Sequence, residues 1–145
     1  MTSLSKHFTL DELTVTDHRE FDNSPTQEEI SNLQRLAQLL EQVKEAIGGK
    51  PVMINSAFRS KQVNDAVGSS DKSQHRKGCA ADLRVPGMTP DEVVRAVIAA
   101  GLPFDQIIRE YDRWTHISIP NTEDAEPRGV ALIIDKETPR GRPFA

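Results

Sequence analysis

Cysteine is nearly missing from this sequence. Cys79 is the single one in 145 residues, so no disulfide within the chain can staple the fold, and folding does not depend on an oxidising compartment. Aromatics are scarce too: five Phe, one Tyr and one Trp. No long apolar run exists. The longest, Val93 to Leu102, is interrupted by Arg95 and falls far short of the roughly 20 residues a spanning helix needs, so no stable membrane association is expected. A basic excess is also lacking. The 18 Lys and Arg face 22 Asp and Glu, for a net charge of −4, which argues against a nucleic-acid partner. Residues Met1 to His7 lack the apolar core of a signal peptide, so the expectation is synthesis in the cytoplasm, with action on an extracellular target requiring a separate release route.

What is present describes one soluble globular domain. Hydrophobic residues make up 37% and charged residues 28%, and the length can bury a single core unaided. Three segments share a Thr-x-x-Glu pattern: Thr9 to Glu12, Thr26 to Glu29 and Thr89 to Glu92. In that capping box the Thr and Glu side chains satisfy exposed backbone N–H groups at a helix start. Phe8 and Leu13 are placed to staple the first. The second predicts the longest helix, from about Gln27 to about Ile47, carried by Ile30, Leu33, Leu36, Ala37, Leu40, Val43 and Ile47 and ended by Gly48-Gly49 and Pro51. The third predicts a helix from Pro90 to about Ala100, with Val93, Val94, Val97 and Ile98 inward. A shorter helix is expected over Lys61 to Val67, capped by Ser60. Strand candidates are Val52 to Asn55, Cys79 to Val85, Gln106 to Arg109, Trp114 to Ile119 and Val130 to Ile134. Without a regular βαβ alternation, these elements imply an α+β fold: a single domain over residues 1–136, with a small, mainly antiparallel sheet. Residues 137–145, with two Pro, a Gly and two Arg, are expected as a loosely ordered tail.

Two of the four histidines sit in contexts that suggest chemistry. In Ser73-Gln-His75-Arg-Lys-Gly78-Cys-Ala-Ala-Asp82, a polar loop delivers His75, Gly78 turns, and a strand begins. Alternation puts Ala80, Asp82 and Arg84 on one face and Cys79, Ala81 and Leu83 on the other. An acid in so apolar a strand is costly unless paired or bound to a cation. In Trp114-Thr-His116-Ile-Ser118, His116 likewise shares a face with Trp114 and Ser118. Two His and one carboxylate suit Zn²⁺ with a fourth position open. The helical His-Glu-x-x-His motif is absent, so these ligands come from a loop and strands. Duller roles compete at each place: a solvated loop His75, an Asp82–Arg84 ion pair, a half-buried strand His116, a loop-bracing Arg59, and Cys79 as a small core residue.

The pattern Ser73-x-His75-x-x-Gly78-x-Ala80-x-Asp82, followed by Glu110 and Trp114-x-His116, resembles the zinc D-Ala-D-Ala carboxypeptidase and phage endolysin family, within the wider lysostaphin, D-Ala-D-Ala carboxypeptidase and hedgehog group. Ser56-Ala-Phe-Arg59-Ser60 and Asn64 resemble the segment preceding that motif. The resemblance implies a zinc peptidase fold with helices packed on one side of the sheet, and His75, Asp82 and His116 as metal ligands. It implies Glu110 as general base, with Asp112 the fallback, because the place three residues before the last His holds Arg113. Arg59 would bind an oxyanion or a substrate carboxylate, and Ser73 and Trp114 would lie at the substrate. The function so implied is hydrolysis of peptidoglycan stem peptides, at the L-Ala–D-Glu bond before the D-Ala–D-Ala bond, by a monomer that a holin or another system releases to the cell wall. The rivals are a non-catalytic, zinc-containing wall-binding or phage structural module, and an amidase or esterase at the same metal.

Overall fold

The computed structural model describes residues 2–144; Met1 of the expected domain and Ala145 of the expected tail lie outside the described residues. The helices are α1 (Leu10–Leu13), α2 (Gln27–Ala46), α3 (Lys61–Ala66) and α4 (Pro90–Ala99). Thr9, Thr26 and Thr89 each accept a hydrogen bond from the backbone N–H three residues on, and Glu12, Glu29 and Glu92 accept one from the Thr N–H in return. A cap stabilises a helix by about 1 kcal/mol. That matters most for α1, a single turn too short to persist alone. Ser60 caps α3 by accepting from the Val63 N–H. Behind α2, Gly48 and Gly49 both adopt left-handed backbone, at φ 81° and 82°. One expectation fails in α4: Ile98 is 42% exposed. Val93, Val94 and Val97 already fill the inward stripe, and Ile98 stands about 140° round the helix from Val93.

Six strands form one sheet: β1 (Met53–Ser56), β2 (Ala80–Arg84), β3 (Gln106–Glu110), β4 (Trp114–Ser118), β5 (Val130–Ile134) and β6 (Arg142–Pro143), in the order β1-β2-β4-β3-β5-β6. Only the β3–β5 pairing is parallel. Parallel neighbours need a crossover, here β4 followed by residues 119–129. Within the segment expected as a loose tail, β6 pairs with the edge of β5, the Arg142 guanidinium donates to Asp135 at 3.1 Å, and Arg95 lies 5.1 Å over the Phe144 ring. Phe144 supplies the apolar anchor that composition alone did not reveal.

The pleat divides the sheet into two chemistries. Ala81, Leu83, Ile107 and Ile117 face α2 and α4 and join Leu33, Leu36, Leu40, Val43, Val93, Val94 and Val97 in one buried cluster. Truncating a leucine there, such as Leu36, to Ala would cost about 2–5 kcal/mol. Asp82 pairs with His116, and His116 with Ile108, across neighbouring strands, while Glu110 pairs with Trp114. These five residues therefore share the opposite face, where the polar side chains collect.

Candidate metal centre

Register brings two of the three expected ligands together. Residues directly opposite in an antiparallel ladder hold their Cβ atoms about 5 Å apart, and Asp82 and His116 are such a pair. His75 arrives from outside the sheet on a short 3₁₀ turn, Gln74–Lys77, whose N-cap Ser73 accepts from the His75 N–H at 3.2 Å. Gly78 ends that turn at φ 77° and leads into β2. A side chain there would place its Cβ 2.9 Å from the Glu29 carbonyl oxygen and 3.1 Å from Leu33 Cγ. Only glycine fits both the conformation and the gap against α2.

One ligand atom from each of His75, Asp82 and His116 lies within 4.8 Å of the others. His75 Nδ1 is 2.7 Å from the Ala57 carbonyl oxygen. A carbonyl only accepts, so this nitrogen carries the proton. Burial, the larger influence, holds His75 below the ordinary histidine range despite the neighbouring Asp82 carboxylate, so the ring is neutral near pH 7 and Nε2 keeps a lone pair. That lone pair stands 3.4 Å from Asp82 Oδ1. Burial alone would push the Asp82 carboxyl up, but the hydrogen bond with the His116 imidazole leads the influences that outweigh it and hold the group ionised, well below the usual carboxylate range. A nitrogen lone pair and a carboxylate oxygen thus face each other in a buried place. Such an arrangement is repulsive unless a cation stands between them. His116 Nδ1 lies 2.9 Å from the same Oδ1. Donors about 2.1 Å from a tetrahedral ion are about 3.4 Å apart, so the His75–Asp82 spacing already fits and the His116–Asp82 spacing needs to open by a few tenths of an ångström. Two imidazoles and one carboxylate form the donor set of an open, catalytic zinc site.

The remaining side chains arrange themselves around this centre. Arg59 donates from Nη2 to Asp82 Oδ2 at 3.4 Å and from Nε to Ser56 Oγ at 3.1 Å. It therefore engages the carboxylate oxygen that does not face the histidines. The Asp82–Arg84 pair weighed from sequence does not form; Arg84 is exposed. Glu110 sits half-buried beside the centre. Burial, then the Asp82 charge, raise its pKa above the ordinary glutamate value, while His116, Arg59 and the Trp114 indole N–H pull it back. That indole nitrogen is buried and makes no well-formed hydrogen bond. Asp112 is not brought to the site. It stands on the exposed hairpin turn with both carboxylate oxygens engaged by Arg109, at 2.5 Å and 3.1 Å. Arg113 is exposed on the same turn. Ser73 braces the loop of His75, and Cys79 is fully buried.

Several supports escaped the sequence. The Ala57 carbonyl fixes the His75 tautomer, yet a backbone atom leaves no side-chain signature. Asn23 ties three segments by donating to the Thr14 and Phe58 carbonyls and accepting from the Ser60 N–H. Gln74 Nε2 shares its two N–H donors among Asp105 Oδ2, the Ile119 carbonyl and Asn121 Oδ1, and Arg128 neutralises the buried Asp105 at 2.7 Å. This network joins the turn bearing His75 to the end of the strand bearing His116. Its one sequence signal is Asp105, an acid between Phe104 and a strand.

Residues 6–118 match the family model described as Peptidase M15. A 44-residue stretch, 30% of this chain, is 43% identical to the zinc D-Ala-D-Ala carboxypeptidase of Streptomyces albus G and covers 17% of that protein's length.

Proposed function

This chain belongs to the Peptidase M15 family, and on that premise we propose that it is a zinc-dependent endopeptidase hydrolysing peptidoglycan stem peptides, with the L-Ala–D-Glu bond preferred to D-Ala–D-Ala. One observation carries the reading: Asp82 Oδ1 lies 3.4 Å from the unprotonated His75 Nε2 and 2.9 Å from His116 Nδ1, beside a half-buried carboxyl, Glu110, with a raised pKa. A zinc ion held by His75, Asp82 and His116 would polarise the scissile carbonyl and acidify water as a Lewis acid.

The chain's own groups do the rest. Glu110 accepts a proton from water as the new C–O bond forms, then delivers it to the amine nitrogen as the C–N bond breaks. A base serves both transfers best when its pKa lies near the working pH, and burial moves Glu110 in that direction. Arg59 is lowered by burial but kept cationic by Asp82 and Glu110. It is placed to stabilise the developing oxyanion or to grip a substrate carboxylate. A module that merely bound the wall would gain nothing from a destabilised carboxyl beside the ligands. The biological role we favour is endolysin-like lysis or remodelling by a monomer, reaching the wall through a holin or another release system. No described helix is long and apolar enough to cross a membrane.

The test is digestion of purified peptidoglycan followed by mass spectrometry, with wild type, Glu110→Ala and EDTA-treated protein in parallel. The expected products carry new L-Ala carboxyl ends and D-Glu amino ends, and both controls are inactive. Release of D-Ala alone would move the scissile bond, and full activity in EDTA would end the zinc mechanism.

A further inference from the structure

The chain's one Tyr and one Trp lie together at the edge of the metal centre. Tyr111 and Trp114 are tilted against each other with ring centroids 6.2 Å apart. Trp114 is the cross-strand partner of Glu110, so one indole forms part of both the catalytic face and what lies beyond it. Beyond it is an open groove of about 520 Å³ between the β3–β4 turn and the end of β5. The turn is held in a costly conformation. Tyr111 and Asp112 both have φ of 53°, and among the described residues they are the only non-glycine positions with positive φ. The Arg109–Asp112 pair and a hydrogen bond from the Tyr111 N–H to the Ile134 carbonyl, at 2.8 Å, hold it there. The result is an aromatic ring set 41% exposed against the groove, and strain of this kind collects at ligand-binding sites.

The charges in the groove are unequal in a second sense. Its acids Asp112 and Asp135 are already paired, with Arg109 and Arg142. Its cations Arg113 and Lys136 are exposed and form no ion pair among the described residues, leaving two free cations against one free acid, Glu137. We propose that this groove is a substrate subsite that binds the acidic residue of the peptide, its carboxylate between Arg113 and Lys136 and its aliphatic stem across Tyr111 and Trp114. The inference rests on the peptidase reading above and adds to it the residues that would recognise the acid next to the scissile bond. Paired cations over an aromatic floor select a carboxylate over its amide, because the neutral amide forfeits the charge-assisted hydrogen bonds.

Trp114, as the sole tryptophan, reports occupancy directly. Zinc-loaded Glu110→Gln protein, whose turnover is at least about 100-fold slower than that of the wild type, is titrated by Trp fluorescence with L-alanyl-D-glutamic acid γ-methylamide and with its α-amide, so that the two ligands differ only in the α-carboxylate. The acid is expected to bind about tenfold more tightly, and the preference to fall to less than about twofold when Arg113→Ala and Lys136→Ala are added. Equal affinity for acid and amide, a preference that survives the double substitution, or no binding of either dipeptide would overturn the subsite. Wall digestion by the wild type is read separately. Acid preference without wall cleavage would refute the peptidase reading and leave the groove standing, and cleavage without acid preference would do the reverse.

Discussion

Gly78→Ala is the substitution whose cost can be worked most directly from the structure, because Gly48 supplies a matched control. Both glycines have left-handed backbone, at φ 77° and 81°. An alanine at either position pays about 1–2 kcal/mol for that conformation. Around Gly48 a Cβ meets nothing within 4 Å, whereas at Gly78 it would stand 2.9 Å from the Glu29 carbonyl oxygen and 3.1 Å from Leu33 Cγ. The first contact is the backbone of α2, fixed by its own capping box and by fully buried Leu33 and Leu36. It cannot yield as the tip of a flexible side chain would, so overpacking adds about 1–3 kcal/mol. For a domain of this length 1 kcal/mol moves Tm by about 3 °C. Gly78→Ala should therefore melt about 3–9 °C below Gly48→Ala by calorimetry of the metal-free proteins. It should also weaken zinc binding, since the displaced turn carries His75. Equal melting temperatures for the two variants would refute the argument that the α2 contact makes glycine obligatory at 78.

Three further outcomes follow from the site. Glu110→Gln should lower kcat by about 10²–10⁴-fold with zinc content unchanged, and, by removing a buried charge repelled by Asp82, should raise Tm; a variant with near wild-type kcat would remove Glu110 from the chemistry. Asp112→Asn should leave kcat within about threefold, because its carboxylate is committed to Arg109 away from the centre, and any loosening of the turn that this pair holds should fall on KM; a kcat loss of the size expected for Glu110 would contradict that placement. In metal-free Glu110→Gln protein, stability should fall from pH 7 to pH 5. The His75 pKa is lowered by burial, so the unfolded chain takes up a proton near its ordinary pKa of about 6.5 that the folded chain refuses. A flat stability profile over that window would contradict a neutral, buried His75.

The sequence made the local rules visible and left the long-range ones hidden. Thr9, Thr26 and Thr89 announced their helices because a capping box is written within four residues. Alternation along β2 and β4 put Asp82 and His116 on polar faces because a strand's period is two. Neither rule says which strands are neighbours. The Asp82–His116 pairing, the parallel β3–β5 contact and the addition of β6 to the sheet edge depend on tertiary packing. Ile98 was misplaced because the hydrophobic stripe of α4 is narrower than its count of apolar residues. The expected ligand set came from the resemblance carried by Ser73 to Asp82 and by Trp114-x-His116, and the structure brings those three side chains together. The reason that set would suit a cation was not legible, since it rests on a proton fixed by the backbone carbonyl of Ala57. The separation of Glu110 from Asp112 likewise needed the hairpin geometry, in which one acid turns to the centre and the other to Arg109.

Zinc titration against a competing chromophoric chelator, with elemental analysis of the recovered protein, tests the shared cation most directly. Wild type should bind one zinc per chain, and His75→Ala, Asp82→Ala and His116→Ala should each weaken binding by more than about 100-fold, since even supporting groups around a metal site are worth about 10–100-fold. A wild-type chain that takes up no zinc, or a His116→Ala chain that holds it undiminished, would contradict the account.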